Sequence, residues 1–299
     1  MSVLERILVM GITGSGKSYQ WLTIARSLKN TNAVFRCIDT DNDIDYMLGT
    51  QFQDLLPENG GNVYVIRACD WPEYKTAIRW FNKTLSKEEE AKLDKNQLEA
   101  YKKPTNSNDW LIIDKINNAW SAVQDYFVNG VHQEDIGEYF LRIRKELKTR
   151  GDIGKSGQKI TSITLESIDG WKDWPVINKL YGDFIKEIVY KSRCHIYAAT
   201  DVDEIDKKEK DPEILSLFGD LRIKPSGQKK LGGQFHSIFL MIPGSNKRLI
   251  TTIKDRADRE HMKKVPLFNM FLQYLVAKAG WTNTMVDEEI LEEAVTEEN

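Results

Sequence analysis

The stretch Arg6-Ile7-Leu8-Val9-Met10-Gly11-Ile12-Thr13-Gly14-Ser15-Gly16-Lys17-Ser18 decides how this chain is read. Its first residues form a strand-like apolar run, and a helix-compatible segment follows Ser18. Between them lies G-x-x-x-x-G-K-[ST], the P-loop pattern, in the strand-then-helix setting that gives the pattern its meaning. Glycine lets the main chain wrap an anion with no Cβ in the way, so the N–H groups of Gly11, Ile12, Thr13, Gly14, Ser15 and Gly16 can turn inward as a nest. The positive end of the following helix adds to that field. Lys17 is expected to reach the β- and γ-phosphates of ATP, and Ser18 to give an oxygen to Mg2+. A Gly-rich turn that binds nothing is the plain alternative.

The chain has 299 residues, 41% hydrophobic and 29% charged, which suits a single α/β domain with insertions and a sizeable core. A formal charge of −3 excludes a uniformly basic nucleic-acid coat but not local basic loops. Cys37, Cys69 and Cys194 sit in or beside apolar runs without metal-ligand spacing. They read as buried reduced thiols, which suits a cytoplasmic compartment. No apolar run approaches a membrane span, and Gly11 interrupts the N-terminus before a signal-peptide core can form. A soluble intracellular protein with no membrane partner is expected.

Beyond the P-loop, strands are predicted at 33–39, 63–66, 110–114, 195–200, 235–242 and 248–253. Helices are predicted at 19–29, 71–84, 117–128, 136–149, 174–192 and 266–279, the last with Pro266 at its first turn and Gly280 beyond its end. Residues 86–103, dense in Glu, Lys and Gln, read as an exposed helical insertion within 71–108. Such alternation implies a mainly parallel sheet with helices on both faces, whose ligands sit beyond the carboxyl ends of the strands. One P-loop domain is expected over residues 1–286. Residues 287–299 carry acids and no base, and read as a disordered tail.

Asp114 closes the apolar run Trp110-Leu111-Ile112-Ile113, expected beside the P-loop strand, and is the candidate to hold the Mg2+ shell. A strand-terminating cap is the alternative. Lys115 follows it, so the adjacent Glu with which many P-loop ATPases polarise water is missing. Another base is offered by Ile38-Asp39-Thr40-Asp41, where Asp41 is preferred over Asp39. The alternative there is a solvated turn. Thr200, ending Ala198-Ala199-Thr200-Asp201, is placed to report nucleotide state or simply to end a strand. Lys254 and Arg256 follow a late strand and can neutralise phosphoryl charge, in cis or from a neighbouring subunit; an exposed basic turn is the other reading. The four histidines show no triad or zinc spacing.

Taken in order, these features resemble the RecA-like ATPase core. The resemblance is greatest to short phage and archaeal-virus RecA-like ATPases of recombination and replication. It covers most of residues 5–256, though only the P-loop is specific by itself. It implies a RecA-like sheet, a water-activating acid matching Asp41, a sensor matching Thr200, and a K-x-R pair, Lys254 and Arg256, reaching a neighbour's site in a ring or filament. It also implies a host cytoplasmic location if the protein is viral. This chain departs from the family by offering Asp41 where Glu is usual, and by its insertion.

RecA-like proteins hold single-stranded DNA with loops, and two basic segments suit that role here. Residues 142–159 carry seven cations against Glu146 and Asp152, and residues 221–234 carry Arg222, Lys224, Lys229 and Lys230 with no acid. Trp171 and Trp174 could stack on bases or belong to the core. The expectation is a Mg2+-dependent ATPase acting on single-stranded DNA. A P-loop small-molecule kinase, a DNA-packaging or motor ATPase and a non-catalytic nucleotide switch stay open as alternatives.

Overall fold

The computed structural model describes residues 4–155, 172–243, 248–256, 265–266, 271–272 and 274–275. β1 (Arg6–Gly11) runs into α1 (Lys17–Ser27), β2 (Phe35–Asp39) and α2 (Ile44–Gly49). Next come β3 (Val63–Arg67), α3 (Trp71–Asn82), α4 (Lys87–Glu90) and α5 (Lys95–Lys102). β4 (Trp110–Asp114) leads to α6 (Asn117–His132), α7 (Ile136–Lys155) and α8 (Asp173–Ile185), and a π turn over Lys186–Tyr190 extends α8. β5 (His195–Thr200), β6 (Val202–Glu204), α9 (Pro212–Phe218), β7 (Ile223–Pro225) and α10 (Leu231–Gln234) follow. β8 (Ser237–Pro243), β9 (Arg248–Asp255) and β10 (Val265–Pro266) complete the order.

Eight strands form one sheet in the order β10-β9-β8-β1-β5-β4-β2-β3. The six from β8 to β3 are parallel, β9 runs antiparallel to β8, and the short edge strand β10 pairs antiparallel with β9. The fold is the expected α/β type, a mostly parallel sheet flanked by helices. Successive side chains of a strand point to opposite faces. Leu8, Met10, Leu111, Ile113, Ile196 and Ala198 therefore pack on one face with residues of α3, α6 and α8. Ile7, Val9, Trp110, Ile112, Tyr197 and Ala199 pack on the other with α1. Two buried faces explain the unbroken apolar runs in the sequence.

Four placements differ from the sequence reading. β4 is not beside β1: β5 lies between them, with Leu8 and Ile113 both facing Ala198. Strand neighbours are set by crossover packing, to which a local pattern is blind. The segment 86–103 has the expected exposed helical face, but its other side packs on the core instead of standing clear of it. Ala100 is buried, and Trp80 Nε1 donates to Gln97 O (2.9 Å). Arg36 is completely buried on β2 and donates to Asp109 Oδ2 (2.9 Å) and to the carbonyls of Ala100 and Lys103 (both 3.1 Å). A buried guanidinium needs such acceptors, and the end of α5 supplies them. The run expected as a loop from Gly151 stays helical to Lys155, and residues 156–159 lie outside the described residues. Finally, Cys37 and Cys194 are buried free thiols, but Cys69 is exposed.

Trp174 stacks on Trp120 with ring centroids 6.1 Å apart and packs at the margin of the core, which uses its face. Trp171 lies outside the described residues, as do the acidic tail 287–299 and most of the helix expected at 266–279. Of that helix, Phe271, Leu272 and Leu275 are buried. Among the described residues no helix is long and apolar enough to cross a membrane.

Candidate active site

The P-loop is built by what its glycines permit. A Cβ on Gly11 would sit 2.7 Å from both Met241 O and Ser15 Oγ, so only glycine fits between β8 and the returning loop. Gly14 (φ +77°) and Gly16 (φ +94°) take left-handed conformations. Gly16 begins α1 with no side-chain cap and no acid in the first turn, whereas α3, α4 and α5 all carry capping boxes. The first N–H groups of α1 are thus left to an external anion. Ser15 is fully buried, and its Oγ has no hydrogen-bond partner. A glycine cradle, an uncapped helix start and an orphaned hydroxyl fit a phosphate. Thr13, Gly14, Gly16, Lys17 and Ser18 line a cleft of about 330 Å³ with Tyr19, Asp43, Tyr46, Met47, Asp114 and Lys115.

Lys17 is folded over the loop, 5% exposed. Its Nζ donates to Gly11 O (2.7 Å), Ile12 O (3.0 Å) and Asp201 Oδ1 (3.1 Å). Tyr197 OH donates to Lys17 O (2.6 Å), fixing the start of α1 to β5. Asp201 is therefore the resident counter-ion of Lys17.

Asp114 is 2% exposed. Burial leaves its pKa raised, against the opposing pull of a hydrogen bond with Ser18 and of one that Trp21 Nε1 donates to Oδ2 (3.2 Å). The intervening β5 has not separated Asp114 from the P-loop, because α1 brings Ser18 across to it. Among the described residues, no group of three or more His, Cys, Asp or Glu side chains could hold a metal. Ser18 and the Asp114 carboxylate, hydrogen-bonded to each other, form a donor pair that fits Mg2+, which takes one or two carboxylates and completes its shell with phosphate oxygens and water.

The tip of β2 is crowded with carboxylates. Asp39 faces Asp114 across the ladder and is fully buried. Its Oδ1 accepts from the N–H groups of Asp41 (3.3 Å) and Asn42 (3.1 Å), while Oδ2 has no hydrogen-bond partner. Burial pushes its pKa up to about 6, the Asp41 amide pulls the other way, and the charges of Asp41 and Asp114 add to the rise. Asp41 is not on the cleft wall; it forms an ion pair with Lys115, which is. Lys115 also lies 3.6 Å from Asp43. Burial opposes its charge, but the hydrogen bond to Asp41 and the charges of Asp41, Asp201 and Asp43 leave its pKa above the ordinary lysine value. Lys115 has φ +58°, rarely taken by a residue with a side chain. Thr40 Oγ1, donating to Asp114 O (2.6 Å), and Asn118 Nδ2, donating to Thr40 Oγ1 (3.0 Å), tie the turn down.

Thr200 is buried at the end of β5, and its Oγ1 is shared between Ser226 O (3.2 Å) and Asn117 Oδ1 (3.4 Å). Ser226 N donates to Asp201 O (2.9 Å). Residue 226 thus anchors the basic segment 221–234 next to the counter-ion of Lys17. Lys229 of that segment pairs with Glu209 (2.9 Å) and Asp211 (3.8 Å), acids invisible in the local sequence count. Arg142 on α7 pairs with Glu134 (3.0 Å) and Glu146 (3.2 Å).

Lys254 and Arg256 are not at this site. Because β9 is antiparallel, Lys254 faces Ile238 at the start of β8, the end of the sheet remote from the P-loop. Lys254 Nζ donates to Gly232 O (3.2 Å), and burial followed by the Arg256 charge lowers its pKa. Action in cis is ruled out by this placement. Sequence reasoning missed the parts of Asp201 and Lys115, although each directly follows a singled-out strand-end residue. A charge next to a strand tip was the available signal.

No family model matches the chain, and no curated protein matches its sequence. Among solved structures, the RadB recombinase is 12% identical over 89% of this chain and 87% of its own, with a TM-score of 0.43. A second solved structure, an ATPase domain, is 10% identical over 90% of this chain and 81% of its own, with a TM-score of 0.42.

Proposed function

We propose that this chain is a Mg2+-dependent RecA-like ATPase that acts on single-stranded DNA in recombination, repair or replication and works as a homo-oligomer. One observation carries the reading: Lys17, the Ser18–Asp114 pair and Lys115, which holds Asp41 behind it, line a single cleft at the carboxyl ends of the strands. Gly11 to Gly16 and the start of α1 cradle the phosphates, and Lys17 exchanges Asp201 for phosphate oxygens. Tyr46, 75% exposed at the cleft, offers a ring face to the base. Ser18 and Asp114 would hold Mg2+, which screens the phosphate charge. Asp41 takes the proton of the attacking water. The water oxygen bonds to the terminal phosphorus, the bond from that phosphorus to the bridging oxygen breaks, and its electron pair leaves with the diphosphate.

The DNA reading is supported by the anchoring of segment 221–234 on Thr200 and Asp201, and by the exposed Arg144 and Lys148 on α7. Lys254 and Arg256, at the far end of the sheet, can serve a nucleotide only from a neighbouring copy. The test is ATP hydrolysis with and without single-stranded DNA at two salt concentrations. Salt-sensitive stimulation is expected; equal rates with and without DNA exclude the DNA role. Asp41→Asn should keep ATP binding and lose hydrolysis by roughly a hundredfold or more. Normal turnover in that variant removes Asp41 as the base.

A further inference from the structure

The cleft contains a second cation that the P-loop motif does not account for. Lys115 lines the same wall as Lys17, Gly14 and Ser18, while its ammonium is engaged by Asp41. Asp41 itself is off the wall, so it meets the cleft through this lysine. Glycine or asparagine would take the φ of +58° at less cost, so what position 115 contributes is its ammonium. The turn is anchored from three sides. Thr40 Oγ1 donates to Asp114 O, Ile116 N donates to Ala199 O (2.8 Å), and Asn118 N donates to Lys115 O (2.9 Å). The main chain is therefore fixed while the side chain, 21% exposed, is free to change partner.

We infer that Lys115 binds the terminal phosphate of a nucleoside triphosphate and, in doing so, releases Asp41. This rests on the nucleotide reading above and adds to it a residue that tells triphosphate from diphosphate. The electrostatics give it a direction. Lys17 and Lys115 face Asp41, Asp43, Asp114 and Asp201, so each ammonium already has a carboxylate partner. A γ-phosphate brings charge denser than a carboxylate and draws Lys115 off Asp41. Asp41 then loses its counter-ion, and its carboxylate is free to meet the attacking water only when substrate is present. A diphosphate is one phosphate shorter and leaves the Lys115–Asp41 pair closed. The base is thus held shut between turnovers by the group that later holds the substrate.

The test is direct binding of ATP and ADP, each with Mg2+, by calorimetry to the wild type, Lys115→Met, Lys115→Arg, Asp41→Asn and the double variant. Lys115→Met should lose about tenfold in ATP affinity with ADP changed less than about twofold. Its unchanged ADP binding shows that it is folded. Lys115→Arg should restore most of the preference, since the charge is kept. Asp41→Asn should bind ATP more tightly, because the competitor for Lys115 is gone, and that gain should vanish in the Lys115→Met background. Equal ATP-to-ADP ratios in wild type and Lys115→Met overturn the inference while leaving the nucleotide reading intact. So does an Asp41→Asn gain that survives without Lys115, because that would be simple relief of repulsion. Wild-type protein that binds neither nucleotide fails at the earlier step.

Discussion

The two ends of the sheet use buried and half-buried charge differently. Where the parallel strands begin, the three guanidinium nitrogens of Arg6 donate to the carbonyls of Glu5, Val189, Ser192 and Cys194. Arg36 is held by two more carbonyls and Asp109. Where the strands finish, Lys17 and Lys115 are held in part by Asp201 and Asp41, which are side chains that can swing away. A main-chain carbonyl is fixed by the fold, whereas a carboxylate can be exchanged for a ligand. Charge is held chiefly by the main chain at one end and in part by movable side chains at the other.

Breaking one interaction at each end should separate the two roles. Asp109→Ala strands the Arg36 charge with no solvent exposure on either partner, and should cost about 3–5 kcal/mol in denaturant unfolding. Nucleotide affinity of the folded protein should hardly change. Lys17→Ala should do the reverse. Affinity falls about a hundredfold, near 3 kcal/mol, while unfolding moves by about 1–2 kcal/mol, less than in Asp109→Ala. If Lys17→Ala unfolds the protein as readily as Asp109→Ala, the division between the ends is wrong.

Titration sharpens the contrast because the ends respond with opposite sign. At the starting end, burial, with the Arg6 charge, lowers the His195 pKa to about 4 from its ordinary 6.5. Its contribution is present above pH 6.5 and is lost as pH falls toward 4. At the finishing end Asp39 is raised from 3.8 to about 6, so its contribution is present below pH 3.8 and is lost as pH rises through 6. Asp39→Asn keeps an acceptor for the Asp41 and Asn42 amides and removes the buried charge. It should unfold roughly 2 kcal/mol later than wild type at pH 8 and no differently near pH 4. A stabilisation independent of pH would mean that Asp39 does not ionise in this range.

What the sequence made legible follows from range. The P-loop is a local device, so Gly11 to Ser18 could be read residue by residue, and the apolar runs located the core strands to within two or three residues. Strand direction and order depend on contacts between distant segments. Nothing in 248–255 announces that β9 runs antiparallel, yet that one fact carries Lys254 and Arg256 to the far end of the sheet. Likewise the acids that occupy Lys229 come from residues 209 and 211 on another segment. Lys115 was seen only as the absence of a glutamate. Its partner, Asp41, is 74 residues away in the chain, and only the pairing of β2 with β4 brings the two together.

The smallest expected effect lies inside the P-loop and separates two kinds of glycine. At Gly14 an added Cβ meets nothing within 4 Å, so only the φ of +77° resists alanine, at about 1 kcal/mol. At Gly11 the obstacle is the Met241 carbonyl 2.7 Å away, which cannot yield without shifting β8. Gly11→Ala should therefore unfold well before Gly14→Ala in a thermal melt. Gly14→Ala should stay folded and lose nucleotide affinity, because a change in that left-handed turn redirects the N–H groups of the nest. If Gly14→Ala melts about 1 kcal/mol early but binds ATP as wild type does, the left-handed turn is only a folding requirement. The cradle would then be formed by Gly16 and the first turn of α1.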